Sequence, residues 1–307
     1  MMRRLLFAIC VFVGLAIVLS IAAYAGEIAL SFDDAPKGNS GYYTGLKRTE
    51  VLIDKLASLG IPEVVFFCNS KKLENDSGRV RIQMYSDAGH LIANHSHTHP
   101  DLDGMDARRF IRNIEVAHDV LKDFPTFVKW FRFPYLHEGR TEAARDSVRG
   151  ALVKMAYEQG YVTVDNYDWY LDKRLSDAIR DSLTTDIDKL RDIYVEMLWS
   201  AIQHFDNIAV ETLGRSPRHV LLLHENDVAA LFIDDLVNRI RENGWKIISP
   251  TAAFQDSIAY HLPDVLMLGQ GRVAAIAHEM DYQGPLWHES EDTDYLDSLL
   301  AAEEVFE

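Results

Sequence analysis

Short apolar runs alternate with helical patterns along most of this chain. Runs rich in β-branched, aromatic or leucine residues fall at 28–32, 64–68, 91–94, 129–133, 161–164, 220–223 and 245–248. Between them, apolar residues recur at helical spacing over 46–59, 80–88, 107–121, 142–159 and 227–243. Gly60 and the pair Asn243-Gly244 supply helix stops where the pattern needs them. About seven strands interleaved with helices predict parallel βαβ units in an α/β fold, with right-handed crossovers closing or nearly closing the sheet.

Two stretches depart from this rhythm. Residues 171–216 are too long for one crossover and keep helical periodicity through Ile179, Leu183, Ile187, Leu190, Ile193, Met197 and Ile202. They read as a helical insertion before strand six, packed outside the barrel and shaping one wall of a site. After Pro250 the pattern fades and the last residues are acidic, so 251–307 is expected to be a C-terminal extension, partly mobile.

The first residues point to export. Arg3-Arg4 precede an apolar stretch over 5–22, and Ala23-Tyr24-Ala25 offers the small residues that a signal peptidase reads. A signal peptide over 1–25 is expected, giving a periplasmic or extracellular protein with no stable membrane association after cleavage. An uncleaved anchor is the alternative, since the run is about long enough to span a bilayer. Cleavage would remove Cys10 and leave Cys68, at the end of an apolar run, as a small core residue. The net charge of −16 becomes two units more negative without Arg3 and Arg4. Such a surface excludes nucleic acid and anionic lipid as partners, tolerates neutral glycans and attracts cationic products.

Against this background five polar blocks stand out: Ser31-Phe32-Asp33-Asp34-Ala35-Pro36, His95-Ser96-His97-Thr98-His99-Pro100, Arg132-Phe133-Pro134-Tyr135, Asp165-Asn166-Tyr167-Asp168-Trp169 and Leu222-Leu223-His224. Parallel strands share one C-terminal rim, where α/β sheets build their sites, so blocks that follow strands converge there. His95 and His99 are four apart, which on one helical turn puts both rings on one face, while His97 points elsewhere. Asp34 would complete a two-histidine, one-carboxylate set for a divalent ion. Asp33 and Asp34 would repel if both lay unpaired in one pocket, so one serves the metal and the other is free to accept a proton. Taken singly, the histidine run is more often a solvated loop, and Asp-Asp-x-Pro is an ordinary turn or cap. Together the blocks hold the parts of a metal-assisted hydrolase.

In order and content these blocks resemble the motifs of the NodB-type polysaccharide deacetylases, carbohydrate esterase family four, over roughly residues 27–250. The resemblance implies a distorted (β/α)7 barrel, with 26–250 as the catalytic domain. It implies Asp33 as general base held by Arg132, and Asp34, His95 and His99 as ligands of a divalent metal, zinc by family preference with cobalt or another ion accepted. It further implies that Tyr135 lends its backbone N–H to the oxyanion, that Asp168 keeps His224 protonated as general acid, and that Trp169 and Leu222 line an acetyl slot. Ala35 stands where the family has Gly, which questions a left-handed turn there. Leu136-His137 and the 171–216 insertion also depart from the pattern.

The expected activity is removal of acetyl groups from an N-acetylated sugar polymer or oligosaccharide. O-acetyl esterase action on xylan-like glycans and a non-catalytic sugar-binding protein on the same fold are the alternatives. The acetylated glycan partner is left unnamed and the oligomeric state open. Rim residues His137-Glu138 and Glu225-Asn226 are minor candidates for substrate contact. Trp287 is a weak candidate for sugar stacking, while His278 and His288 read as surface residues.

Overall fold

The computed structural model describes residues 26–61 and 63–307, so the expected signal peptide lies outside the described residues. The strands are β1 (Glu27–Ala35), β2 (Val65–Cys68), β3 (Leu91–Asn94), β4 (Phe127–Phe131), β5 (Glu158–Gln159), β6 (Arg218–His224) and β7 (Lys246–Ile247). All pair in parallel, in the order β5-β4-β3-β2-β1-β6, with β7 on the first residues of β1. The two edges of this curled sheet are joined by the segment after β5. Gly160 N–H donates to the Phe131 carbonyl at 2.7 Å, and Thr163 and Val164 donate to the Val220 carbonyl at 3.0 and 3.2 Å. The result is the distorted (β/α)7 barrel expected.

The crossovers are α1 (Gly45–Ser58), α2 (Asp76–Asp87), α3 (Ala107–Leu121), α4 (Glu142–Lys154), α5 (Asp168–Arg180), α6 (Ile187–Leu213) and α7 (Asp227–Glu242). Most begin on a side-chain cap that satisfies an otherwise unpaired N–H: Thr44 for α1, Asp106 for α3, Thr141 for α4, Asp186 for α6 and Asn226 for α7. The core sits on β1, where Ile28, Leu30 and Phe32 are fully buried. Phe32 stacks on Phe66 and Phe66 on Tyr85, with ring centroids 5.1 and 3.8 Å apart. Burying each such side chain contributes about 1.5–3 kcal/mol. Cys68 belongs to this core, as expected.

Element boundaries move in instructive ways. The helix expected over 142–159 ends at Lys154, because Ala156 takes a left-handed φ of 57° and turns Tyr157 into a small aromatic cluster with Phe110, Phe131 and Phe133. The strand expected at 129–133 lies two residues earlier. The run 161–164 forms the seam to β6 rather than a full ladder.

The 171–216 insertion is a helical pair outside the sheet. α5 starts at Asp168, before the expected boundary, and α6 buries Leu190, Tyr194, Leu198 and Phe205. The segment 251–307, expected as a partly mobile extension, is folded against the body. It begins within α8 (Pro250–Ala253) and contains α9 (Arg272–Glu279) and α10 (Thr293–Ala302). Leu296, Leu300 and Val305 are buried, and the last residues pair with the α5–α6 turn: Thr184 N–H donates to the Glu307 carbonyl at 2.6 Å, and Glu307 N–H returns a bond to Thr184 at 2.9 Å. Its elements are too short for their periodicity to show in sequence. Among the described residues no helix is long and apolar enough to cross a membrane.

Candidate active site

The register of β1 against β6 sets the site. Ser31 faces Leu222 and Asp33 faces His224, so the two-residue period of the strands brings Asp33, Leu222 and His224 to the same end of the barrel. His95 follows β3, Arg132 follows β4 and Asp165 follows the seam. The five blocks therefore meet at the C-terminal rim. Asp33, Asp34, His95, His99, Tyr135, Trp169, Leu222 and His224 all line one cleft of about 630 Å³. Arg132 and Asp168 lie behind it, each bonded to a lining residue.

Asp33 is buried and takes a bond of 2.6 Å from Arg132 Nη1. Arg132 is itself buried; it donates to Ser31 Oγ and to the Gly160 and Tyr161 carbonyls, and lies 3.9 Å over the Phe67 ring. With every nitrogen engaged it has one available position. Burial pushes the Asp33 carboxyl above its ordinary value, with Arg132 and then His224 pulling against that.

On the other side of the cleft, His224 Nδ1 is 2.6 Å from Asp168 Oδ1. Asp168 is fully buried and its second oxygen accepts from His224 N–H and Asn226 Nδ2. Burial alone would lower His224, but Asp168, helped by Asp34 and Asp33, carries it up to about 9. The imidazole is thus a cation at neutral pH.

Asp34, His95 and His99 each offer a donor atom, all within 4.8 Å of one another. Burial would raise Asp34, but Lys72, His99, His224 and His95 outweigh it and hold its carboxyl well below the usual range. Burial pushes both histidines down to about 4. His95 Nδ1 donates to the Arg132 carbonyl at 2.9 Å, which fixes the tautomer and leaves Nε2 as acceptor. One ionised carboxylate and two neutral imidazoles are the protonation states a divalent cation requires, so these residues fit one.

The backbone here is not the helical turn expected for His95 and His99. They lie in an irregular loop in which Ser96 and His99 have φ of 70° and 55°. Asn113 Oδ1 accepts from His97 and Thr98 N–H, and Ser96 Oγ from His99 N–H, and these bonds fold the loop so that both rings still meet. His97 turns away to Ser70, as expected. The left-handed turn in the first block falls on Asp34, φ 66°, and not on residue 35; Asp tolerates that region, so Ala35 causes no conflict. Tyr135 and Leu136 are also left-handed, at 58° and 53°. Such residues cost roughly 1–3 kcal/mol each and persist only where surrounding bonds hold them.

Sequence reasoning missed two contributors, Lys72 and Lys37. Lys72 donates to the Asp34 carbonyl at 2.9 Å; its position just beyond β2 was the available signal. Lys37 lines the cleft, together with Asp165 of the fourth polar block. Glu225 does not reach substrate space: it is fully buried, accepting from Arg48, Arg81, Tyr85 and Lys37 N–H. His137 lines the cleft, while Glu138 is held by Arg149 and Gln159. His278 is exposed as expected, but His288 is half-buried against Ser200.

The chain is thus a parallel α/β barrel with carboxylates and histidines gathered at its C-terminal rim. Residues 22–165 match the family model of polysaccharide deacetylases. That match shows a polysaccharide deacetylase domain over those residues. It is 23% identical over 240 residues to a peptidoglycan-N-acetylglucosamine deacetylase of Bacillus cereus, covering 75% of this chain and 69% of that protein. It is 28% identical over 151 residues to a chitin deacetylase of Arthroderma benhamiae, 47% of this chain and 35% of that protein. In fold it is similar to a family 4 pseudoenzyme from Bacillus anthracis, with TM-score 0.53 and 16% identity over 76% of this chain and 66% of that one. A mutant of that pseudoenzyme with restored activity gives TM-score 0.54 and 18% identity over 76% and 68%. Since one fold serves an inactive and a reactivated protein, turnover has to be argued from the groups in this cleft.

Proposed function

We propose that this chain is a metal-dependent hydrolase that removes acetyl groups from an N-acetylated glycan, polymer or oligosaccharide. The observation that carries the reading is that one cleft holds a carboxylate pinned to an arginine and an imidazolium pinned to an aspartate, together with the Asp34-His95-His99 donor set. A sugar-binding protein needs neither a base nor an acid. The alternative of O-acetyl ester hydrolysis uses the same tetrahedral intermediate; the names of the two curated relatives favour the amide.

A divalent ion held by Asp34, His95 and His99 would polarise the acetyl carbonyl and acidify a water; zinc suits the donor set, and cobalt is accepted by it. Asp33, oriented by Arg132, takes the proton from the attacking water. The Tyr135 N–H is assigned to the oxyanion, and Trp169 with Leu222 to the acetyl methyl. His224, kept protonated by Asp168, gives its proton to the amide nitrogen as the C–N bond breaks. Acetate and a free amine leave. We assign this chemistry to residues 26–250 and, from the sequence pattern of 1–25, place the protein in the periplasm or outside the cell.

Asp33→Asn tests the roles directly. Deacetylation should fall by roughly 10²–10⁴-fold while bound zinc, measured by elemental mass spectrometry, is unchanged. Retained activity would remove Asp33 from the mechanism.

A further inference from the structure

A second groove of about 640 Å³ adjoins the cleft and shares Tyr167 and Trp169 with it. Its far wall is Trp287, from the C-terminal segment, so the groove lies wholly beyond the residues matched by the family model. Trp287 is 55% exposed although its neighbours are fixed. Leu286 is buried, His288 Nε2 meets Ser200 Oγ at 3.0 Å, and His288 N–H donates to Glu291 at 2.9 Å. An indole held outward by an anchored backbone contributes little to the core and presents its ring to the groove. Tyr167 and Trp169 lie 5.0 Å apart, centroid to centroid, on the shared wall.

The polar lining has one sign. Glu289, Glu291 and Asp292 border the groove, with no lysine or arginine among its lining residues. Burial pushes the Glu291 carboxyl up to about 7, and the carboxylates of Glu289 and Asp292 stand exposed beside it. Tyr295 bonds one oxygen of Glu289, and one oxygen of Asp292 caps α10. Aromatic faces beside carboxylates attract an organic cation whose body is apolar on one face.

We propose that this groove is an accessory sugar subsite, continuous with the cleft, that takes a pyranose bearing a free amine. A glycan already deacetylated at one unit would lay that unit on Trp287 while a neighbouring acetylated unit occupies the cleft. The link to deacetylation rests on the function proposed above, but binding can be tested without turnover. Glucosamine tetramer and cellotetraose both lack acetyl groups and differ in amine against hydroxyl. Titrated into the full chain and followed by tryptophan fluorescence and calorimetry, the glucosamine tetramer should bind roughly five-fold tighter than cellotetraose. Trp287→Ala should weaken it by about five-fold, Trp287→Phe should restore most of that, and Glu289→Gln should erase the preference for the amine. Equal binding of the two tetramers, or an unchanged affinity in Trp287→Ala, overturns the subsite. Binding as described in a protein that releases no acetate upholds the subsite and contradicts the proposed function; acetate release with Trp287→Ala binding unchanged does the reverse.

Discussion

Two clusters near the same rim have nearly the same composition and opposite environments. Asp34, His95 and His99 line the cleft, whereas of Asp101, Asp103 and His137 it is His137 that reaches its wall; in each set the donor atoms fall within 4.8 Å of one another. In the first, burial strips the imidazoles of their protons, and the nearest cation, Lys72, stands 4.0 Å from Asp34 Oδ1. In the second, Arg140 Nε already sits 2.8 Å from Asp103, and His137 Nδ1 sits 3.0 Å from Asp101. A guanidinium already engages a carboxylate of the second set, whereas the first set is the one proposed above to hold a metal. Residue type proposes a metal site, and the partners decide it.

The largest effect expected follows from that contrast. His95→Ala should abolish zinc binding and deacetylation together, whereas His137→Ala should leave one zinc per chain; elemental analysis of both variants checks this, and two zincs in the parent would break the comparison. Next in size is Glu225. It is the sequence neighbour of His224 but is enclosed by Arg48 and Arg81, and removing its charge leaves two buried guanidiniums without it. Glu225→Ala should lower stability by about 3–5 kcal/mol in denaturant unfolding.

A smaller effect concerns pH. His224 is raised from 6.5 to about 9, so its pair with Asp168 stabilises the fold fully below the unfolded pKa and loses that contribution as pH rises through about 9. In chelator-treated protein, the Tm gap between the parent and His224→Gln should therefore shrink between pH 6.5 and 9. A constant gap would contradict the raised pKa. Smallest is Lys173→Ala: the lysine is exposed in its pair with Asp177, and stability should change by less than about 0.5 kcal/mol.

Much of this was legible in the sequence because strand ends carry the chemistry. Short apolar runs located β1, β2, β3 and β6, and the polar residues immediately after or within their ends are the ones that line the cleft. What was not legible depends on long-range partners. The spacing of His95 and His99 alone implies a helical turn, yet their loop is shaped by Asn113, fourteen residues beyond His99 in α3. Lys72 and the enclosure of Glu225 arise from residues over thirty and over one hundred positions away in the chain, respectively. The C-terminal segment looked patternless because α8 and α9 are too short to display a period, although α9 packs on α6.

The most direct test of the central claim is mass spectrometry of N-acetylated chito-oligosaccharides and peptidoglycan fragments, with O-acetylated xylo-oligosaccharides alongside, incubated with the chain from Gly26 onward. Loss of acetyl groups from the amide substrates is expected with zinc present, and no loss when a chelator removes it. Acetyl loss that persists undiminished in chelator, or no loss from any acetylated glycan by the zinc-bound protein, would contradict that claim.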